Sequence, residues 1–120
     1  MSIVLSPQQA LRLLADVALD VVRERGPQGH PDFTFRQLSV LMTIYLEKPP
    51  HTVRGIAARL AVTKPVVTRA LDSLGALELV TRRRDEADRR NVIVQRTVKG
   101  ALFVEQLGDL VVERAKGLAS

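Results

Sequence analysis

Three residues, Ala61-Val62-Thr63, separate two short amphipathic stretches, and that spacing restricts the fold more than any other feature of the chain. Upstream, Thr52 is a candidate N-cap, and Val53, Ile56, Ala57 and Leu60 recur at i, i+3, i+4 and i+7, one apolar face of a short helix. Downstream, Thr63 is a second candidate N-cap. It opens a helix from Lys64 to about Leu77 whose buried stripe is expected to be Val67, Ala70, Leu71 and Leu74. A link of this length allows only two helices meeting at a steep angle, a helix-turn-helix.

Beyond Leu77 the chain turns extended rather than helical. Leu79-Val80-Thr81-Arg82-Arg83-Arg84 runs into the polar turn Asp85-Glu86-Ala87-Asp88-Arg89-Arg90, and Asn91 to Thr97 returns with Val92 and Val94 on one side. The spacing predicts a β-hairpin with a charged tip, a wing. From Thr52 to Lys99 stand eleven basic and five acidic residues, a net +6 in a chain whose total is +5, so the whole positive excess belongs to this segment. Such polarity suits a polyanion, and duplex DNA is the natural candidate.

On a wheel of about 100° per residue, the direction opposite the second helix's stripe holds Pro65, Arg69, Asp72 and Ala76, flanked by Val66, Thr68 and Ser73. Arginine can bridge guanine O6 and N7, and apolar groups can touch thymine methyls, so Arg69, Pro65 and Val66 suit major-groove reading. The plainer alternative is a solvated helix face that happens to carry an arginine. A hairpin beside such a helix can lay an arginine in the adjacent minor groove, whose negative potential attracts it. The alternative there is an ordinary solvated turn, with Asp85, Glu86 and Asp88 neutralising their neighbours.

Outside this segment the chain reads as helical scaffold. Ser6-Pro7 is a good helix start, and the pattern runs to Arg25 before Gly26-Pro27. Polar residues form a narrow stripe there (Arg12, Asp16, Asp20, Arg23), while Leu11, Leu14, Ala18, Val22 and their neighbours cover more arc than one partner helix can bury. Either a second copy of the chain covers the excess, or the helix lies between two others of its own subunit. Gly26 to Asp32 is a loop containing His30, which, like His51, lacks a second ligand at metal-binding spacing. A further helix, Thr34 to Glu47, is expected to present Phe35, Leu38, Leu41, Met42 and Tyr45 to the core. Tyr45 is read as core scaffold, with a pocket-lining role as the alternative. The last helix, Val98 to about Leu118, has a stripe of Leu102 or Phe103, Leu107, Leu110, Val111 and Leu118, with Gly108 in mid-helix where a close backbone would explain it.

Composition excludes several chemistries. Without cysteine there is no disulfide, thiolate metal site or thiol redox sensor. No glycine-rich phosphate loop, Cys/His cluster or nucleophile-base set is present, so no enzyme activity, cofactor or metal is expected. The N-terminus lacks a signal-peptide pattern and no apolar run reaches membrane-spanning length, so a cytoplasmic protein with no membrane partner is expected.

The segment Thr52 to Gly100 resembles the DNA-binding half of the MarR family of bacterial transcription regulators. The likeness rests on Ile56-Ala57, Val67-Thr68-Arg69, Leu71-Asp72-Ser73-Leu74, Asp88-Arg89-Arg90, Val94, Thr97 and Gly100. The sequence departs from the family's pattern at Gly55, often a glutamate, at Arg96, usually a leucine, and in lacking the usual glycine just before Leu79-Val80. The resemblance implies a dimeric winged-helix protein on a pseudo-palindromic operator, usually a repressor, with a possible small-molecule effector. It implies that Arg90 enters the minor groove with Asp88 as its orienting partner, that Pro65, Val66, Thr68 and Arg69 face bases, and that Thr63 and Lys64 meet phosphate. Arg54, Arg84 and Arg89 complete the expected DNA contacts.

The expected architecture is mainly α with a small β-hairpin wing. It is a single winged-helix domain over residues 1–120, with the helix-turn-helix and wing at 52–97 and dimerisation helices at 6–25 and 98–118. Leu11, Leu14, Ala18, Val22, Phe103, Leu107, Leu110 and Val111 are the expected dimer contacts. The alternative function is a winged-helix protein-interaction or dimerisation module without DNA affinity.

Overall fold

The structure, a computed structural model, describes residues 4–23 and 32–119. The loop with His30 and the expected end of the first helix at Glu24 and Arg25 lie outside the described residues. The elements are α1 (Pro7–Arg23), α2 (Phe35–Leu46), β1 (His51–Thr52), α3 (Val53–Leu60), α4 (Lys64–Ala76), β2 (Val80–Arg84), β3 (Val92–Arg96) and α5 (Val98–Lys116), followed by a 3-10 turn at Gly117–Ala119. By contact density the chain divides into two units, Phe33–Val104 and a second made of Met1–Asp32 with Glu105–Ser120.

In the unit Phe33–Val104, each helix start is chemically marked. Thr34 accepts from the Gln37 N–H at 3.0 Å while the Gln37 side chain accepts from the Thr34 N–H at 2.9 Å, a reciprocal capping box. Thr52 caps α3 by accepting from the Gly55 N–H at 2.9 Å. Gly55 offers no side chain to return the bond. Thr63 occupies the cap position of α4 as expected, but its side chain makes no capping bond. Pro65 in the first turn of α4 removes an N–H that has no intrahelical partner in any case.

The core joins Val40, Leu41 and Ile44 of α2, Val53, Ile56 and Ala57 of α3, Val67, Ala70, Leu71 and Leu74 of α4, and Leu79, Val80 and Val94 at the wing base. The α4 stripe is the expected one, residue for residue. The α2 face is met in part: Leu41 is buried and Met42 and Tyr45 lie against the core as expected, but Phe35 is 79% exposed, and Val40 and Ile44 are buried beside Leu41. Tyr45 and Met42 pack against the edge of this core, and Phe103 joins it by stacking edge-on to Phe33 at 5.5 Å. Phe103 therefore turns inward while its neighbour Leu102 is exposed.

The wing is a three-stranded sheet of order β1-β3-β2, not a bare hairpin. β3 pairs antiparallel with β2, Arg82 opposite Val94 and Arg84 opposite Val92, and its other edge takes His51 and Thr52. Thr52 thus ends a strand and caps a helix at once. In the second unit, Arg114 of α5 donates two hydrogen bonds of 2.6 Å to the Asp20 carboxylate of α1. Among the described residues, none of α1 is buried.

Two non-glycine residues occupy the left-handed region, Ala61 at φ 57° and Glu78 at φ 61°. Ala61 ends α3, with the Val62 N–H reaching back to Ala57 O at 3.0 Å; Glu78 ends α4, with the Leu79 N–H reaching Leu74 O at 3.0 Å. Glu78 stands where the family pattern has glycine, and the left-handed region costs a Cβ-bearing residue roughly 1–2 kcal/mol. Its ion pair with Lys99, 3.6 Å long and exposed, offsets little of that. Glu78→Gly should therefore raise stability by about 0.5–1 kcal/mol after glycine's extra unfolded-state entropy is deducted. The check is a higher urea midpoint at unchanged slope; a lower midpoint would show that Glu78 is not strained.

Candidate nucleic-acid interface

Burial of Val67, Ala70, Leu71 and Leu74 turns the opposite face of α4 outward. Thr63, Lys64, Pro65, Thr68 and Arg69 are exposed there and Val66 is half-exposed. The Thr63 hydroxyl makes no capping bond, and Thr63 and Lys64 are both exposed at the N-terminal end of α4, where the first-turn N–H groups lack intrahelical partners. The Arg69 side chain makes no hydrogen bond or ion pair within the described residues.

Asp72, on the same exposed face, does not stay free. Arg82 of β2 donates to its carboxylate at 2.8 Å, which ties the wing to α4 at mid-height and cancels an anion that would repel phosphate. Sequence reading misses this role for Arg82. Strand parity offers the signal, because Val80, Arg82 and Arg84 share one face of β2, and Val80 is buried.

The wing tip is built by side chains that cap its own backbone. The Ala87 N–H donates to Asp85 Oδ1 at 2.9 Å, and Arg84 folds over to donate to the Arg89 carbonyl at 2.7 Å. Arg84, expected at the DNA, is thus committed to holding the turn. Its neighbour Arg83, absent from the expected contacts, has no such commitment. Asp88 accepts from the Arg90 N–H at 3.2 Å and from its guanidinium at 3.0 and 3.2 Å. A bidentate pair of this kind fixes the plane of the arginine. Yet Arg90 remains 80% exposed.

Of the eleven basic residues between Thr52 and Lys99, six are engaged: Arg59 with Glu47, Arg82 with Asp72, Arg84 with Arg89 O, Arg90 with Asp88, Arg96 with two α2 carbonyls, and Lys99 with Glu78. Arg54, Lys64, Arg69, Arg83 and Arg89 are not, among the described residues. They come from α3, α4 and the wing. Elsewhere in the unit, His51 is buried with its ring nitrogen 3.2 Å from Glu47 O. An open groove of about 480 Å³ lies along Thr34, Phe35, Arg36, Ser39, Leu60 and Val62. Of the expected dimer contacts, Leu11, Leu14, Ala18 and Val22 are exposed, and Leu107, Leu110 and Val111 half-buried. No helix among the described residues is long and apolar enough to cross a membrane.

The hydrogen bonds from the Arg90 side chain, then from its backbone N–H, hold the Asp88 carboxyl below the usual carboxylate range, helped by the charge of Arg54. With the folded pKa depressed, the ordering that Asp88 gives the tip is fully present above its unfolded pKa and lost as pH falls through the folded one. NMR titration of the Asp88 carboxyl should give a midpoint lower than in an unstructured peptide of residues 84–92, and Arg90→Ala should narrow the gap while the bond from the residue 90 N–H keeps part of it. Equal midpoints in protein and peptide would remove the orienting pair.

Comparison with known proteins agrees with this geometry. The crystal structure of MarR is 26% identical, with 95% of this chain and 81% of that chain covered and a TM-score of 0.67. The transcriptional repressor CouR, bound to a 23-mer DNA duplex, is 27% identical, with 92% and 72% covered and a TM-score of 0.70. A mutant of S. aureus MepR bound to an oligodeoxyribonucleotide is 21% identical, with 93% and 77% covered and a TM-score of 0.77, a likeness of fold. Among curated proteins none matches. The family model for the MarR family matches residues 32–91, half of the chain, from the start of α2 through the wing tip. The chain belongs to the MarR family of DNA-binding transcription regulators, a family of regulators and not of enzymes.

Proposed function

We propose that the protein is a homodimeric repressor that binds a pseudo-palindromic DNA site in a sequence-specific manner. In this reading α4 lies in the major groove, where Pro65, Val66, Thr68 and Arg69 meet base edges and Thr63 and Lys64 meet phosphate. Arg90, oriented by Asp88, enters the adjacent minor groove, with Arg54 and Arg89 on the flanking backbone. Arg84 acts by shaping the tip, and Arg83 takes the outer contact. The observation that carries the reading is the division among the basic residues. Among the described residues, five cationic side chains on α3, α4 and the wing make no hydrogen bond or ion pair, and a sixth, Arg90, is clamped in orientation while still exposed.

Repression is supported by the likeness to CouR, itself described as a repressor bound to DNA. Dimerisation is supported by α1, whose Leu11 and Leu14 are 65% and 54% exposed. On α5, a Cβ added at Gly108 would meet nothing within 4 Å, which leaves room for a second backbone. The dimerisation helices are α1 and the C-terminal half of α5, with Leu107, Leu110 and Val111 as contacts. Phe103, stacked on Phe33, supports the winged-helix core instead. A two-fold particle would set its recognition helices about 34–36 Å apart, or a multiple of that, and half-sites should repeat at that spacing.

Two experiments test this. With duplexes selected from source-genome fragments, Arg69→Ala should relax base preference, costing about 1–3 kcal/mol on the selected site and little on random DNA. Lys64→Ala should weaken both alike and flatten the salt dependence by about one unit of slope. Equal losses on both kinds of DNA for both variants would sink the assignment of roles. Separately, light scattering on the purified chain should give twice the chain mass, and Leu11→Glu with Leu14→Glu should halve it; a wild-type monomer at micromolar concentration would refute the dimer.

A further inference from the structure

The wing is fastened at three heights. Asp88 and Arg84 hold its tip, Arg82 holds its middle to α4, and at its base two residues outside the proposed DNA contacts, Tyr45 and Arg96, hold it to α2. The Tyr45 hydroxyl donates to Leu79 O at 2.7 Å and accepts from the Thr97 N–H at 3.0 Å. Leu79 immediately precedes β2 and Thr97 immediately follows β3, so one hydroxyl grips both feet of the hairpin. The Thr97 side chain adds a bond to Glu78 O at 2.8 Å and accepts from the Gly100 N–H at 2.8 Å. Gly100 sits so close that a Cβ there would collide with the Tyr45 hydroxyl and with Leu79 O.

Arg96 works from the strand side. Its Nε donates to Ile44 O at 2.7 Å and its terminal nitrogen to Glu47 O at 3.0 Å, while the guanidinium lies 5.7 Å from the centre of the Tyr45 ring. Those carbonyls lie at the C-terminal end of α2, beyond the reach of its own N–H ladder, and a cation there also answers the helix dipole. A leucine at this position could fill space against the core, but it could not fix an angle. A planar fork bonded to two carbonyls and stacked on a ring fixes one.

We propose that Tyr45 and Arg96 are positioning residues for DNA binding: together they set the tilt of the wing against α2 so that Arg90 reaches the minor groove when α4 is seated. This rests on the reading that Arg90 contacts DNA. The effect of Arg96 on affinity then passes through the wing tip, at the far end of the hairpin from Arg96, and the two residues are coupled without touching.

The test is a double-mutant cycle on the full chain, by polarisation titration on a duplex selected from source-genome fragments. Arg90→Ala should weaken the wild-type protein roughly tenfold, and the Arg96→Leu protein less than about twofold, because the wing of the latter is already misplaced. Tyr45→Phe, which keeps the ring and removes the hydroxyl, should shrink the Arg90→Ala loss in the same way. Arg69→Ala should cost the same factor in every background. A role confined to stability would give losses that simply multiply, as distant sites without shared partners do, and that result overturns the proposal. Should Arg96→Leu fail to fold, the Tyr45→Phe cycle decides alone by the same criterion. An Arg90→Ala variant as tight as wild type would instead refute the minor-groove reading, and the positioning role with it.

Discussion

Every functional inference about this protein depends on which way α4 is rolled about its own axis. Four residues decide that: Val67, Ala70, Leu71 and Leu74 are buried against α2, α3 and the wing base. Burying a leucine or valine contributes about 1.5–3 kcal/mol, so the stripe outweighs any surface contact that could roll the helix elsewhere. At about 100° per residue, fixing that stripe also fixes Pro65, Thr68 and Arg69 on the far side. The outward chemistry of α4 is a consequence of packing, and it would be the same whether or not DNA were present.

The charges divide along a different line. Exposed ion pairs contribute at most about 1 kcal/mol each, so Arg82 with Asp72 and Arg90 with Asp88 add little to folding. What they contribute is geometry. Asp72 would otherwise present a bare carboxylate beside the proposed phosphate path, and Arg90 would sample many rotamers. Engaging six basic residues in such tasks leaves five exposed ones with no hydrogen bond or ion pair from their side chains among the described residues, a division that composition alone does not reveal.

Local features of the fold are legible in the sequence. The α4 stripe, the caps at Ser6 and Thr52, and the two long strands of the wing all arise from patterns within a dozen residues. Where the pattern misleads, two faces compete. The α2 sequence offers apolar residues on more than one side, and taking Phe35 as the start of the stripe rotates the face away from Val40 and Ile44. At Leu102 or Phe103 the periodicity permits either, and Phe33, far away in sequence, settles it. β1 has two residues, too few for any period to register. The Tyr45 and Arg96 bonds span 34 to 52 residues, so neither partner carries a local sign of the other. Arg83 and Arg84 are distinguishable in principle, since strand alternation places Arg84 on the buried Val80 side.

The helix α1 carries more apolar surface than its own chain covers. Its half-buried side holds Leu13, Val17 and Val21 together with Asp16 and Asp20, the last locked to Arg114 and held below the usual carboxylate range chiefly by that arginine's hydrogen bonds. Its exposed side holds Leu11 and Leu14. Apolar area left in water forgoes about 25 cal/mol per Å², so a leucine-rich helix face is stabilised only when something covers it. A bidentate Arg–carboxylate pair accepts a narrow range of geometries, so Asp20 and Arg114 hold α1 and α5 in one register with the leucines outward. A second copy is the covering that matches the proposed function. In the proposed dimer, a two-fold axis joining two such faces would also repeat α4, and a repeated recognition helix is what a palindromic site requires.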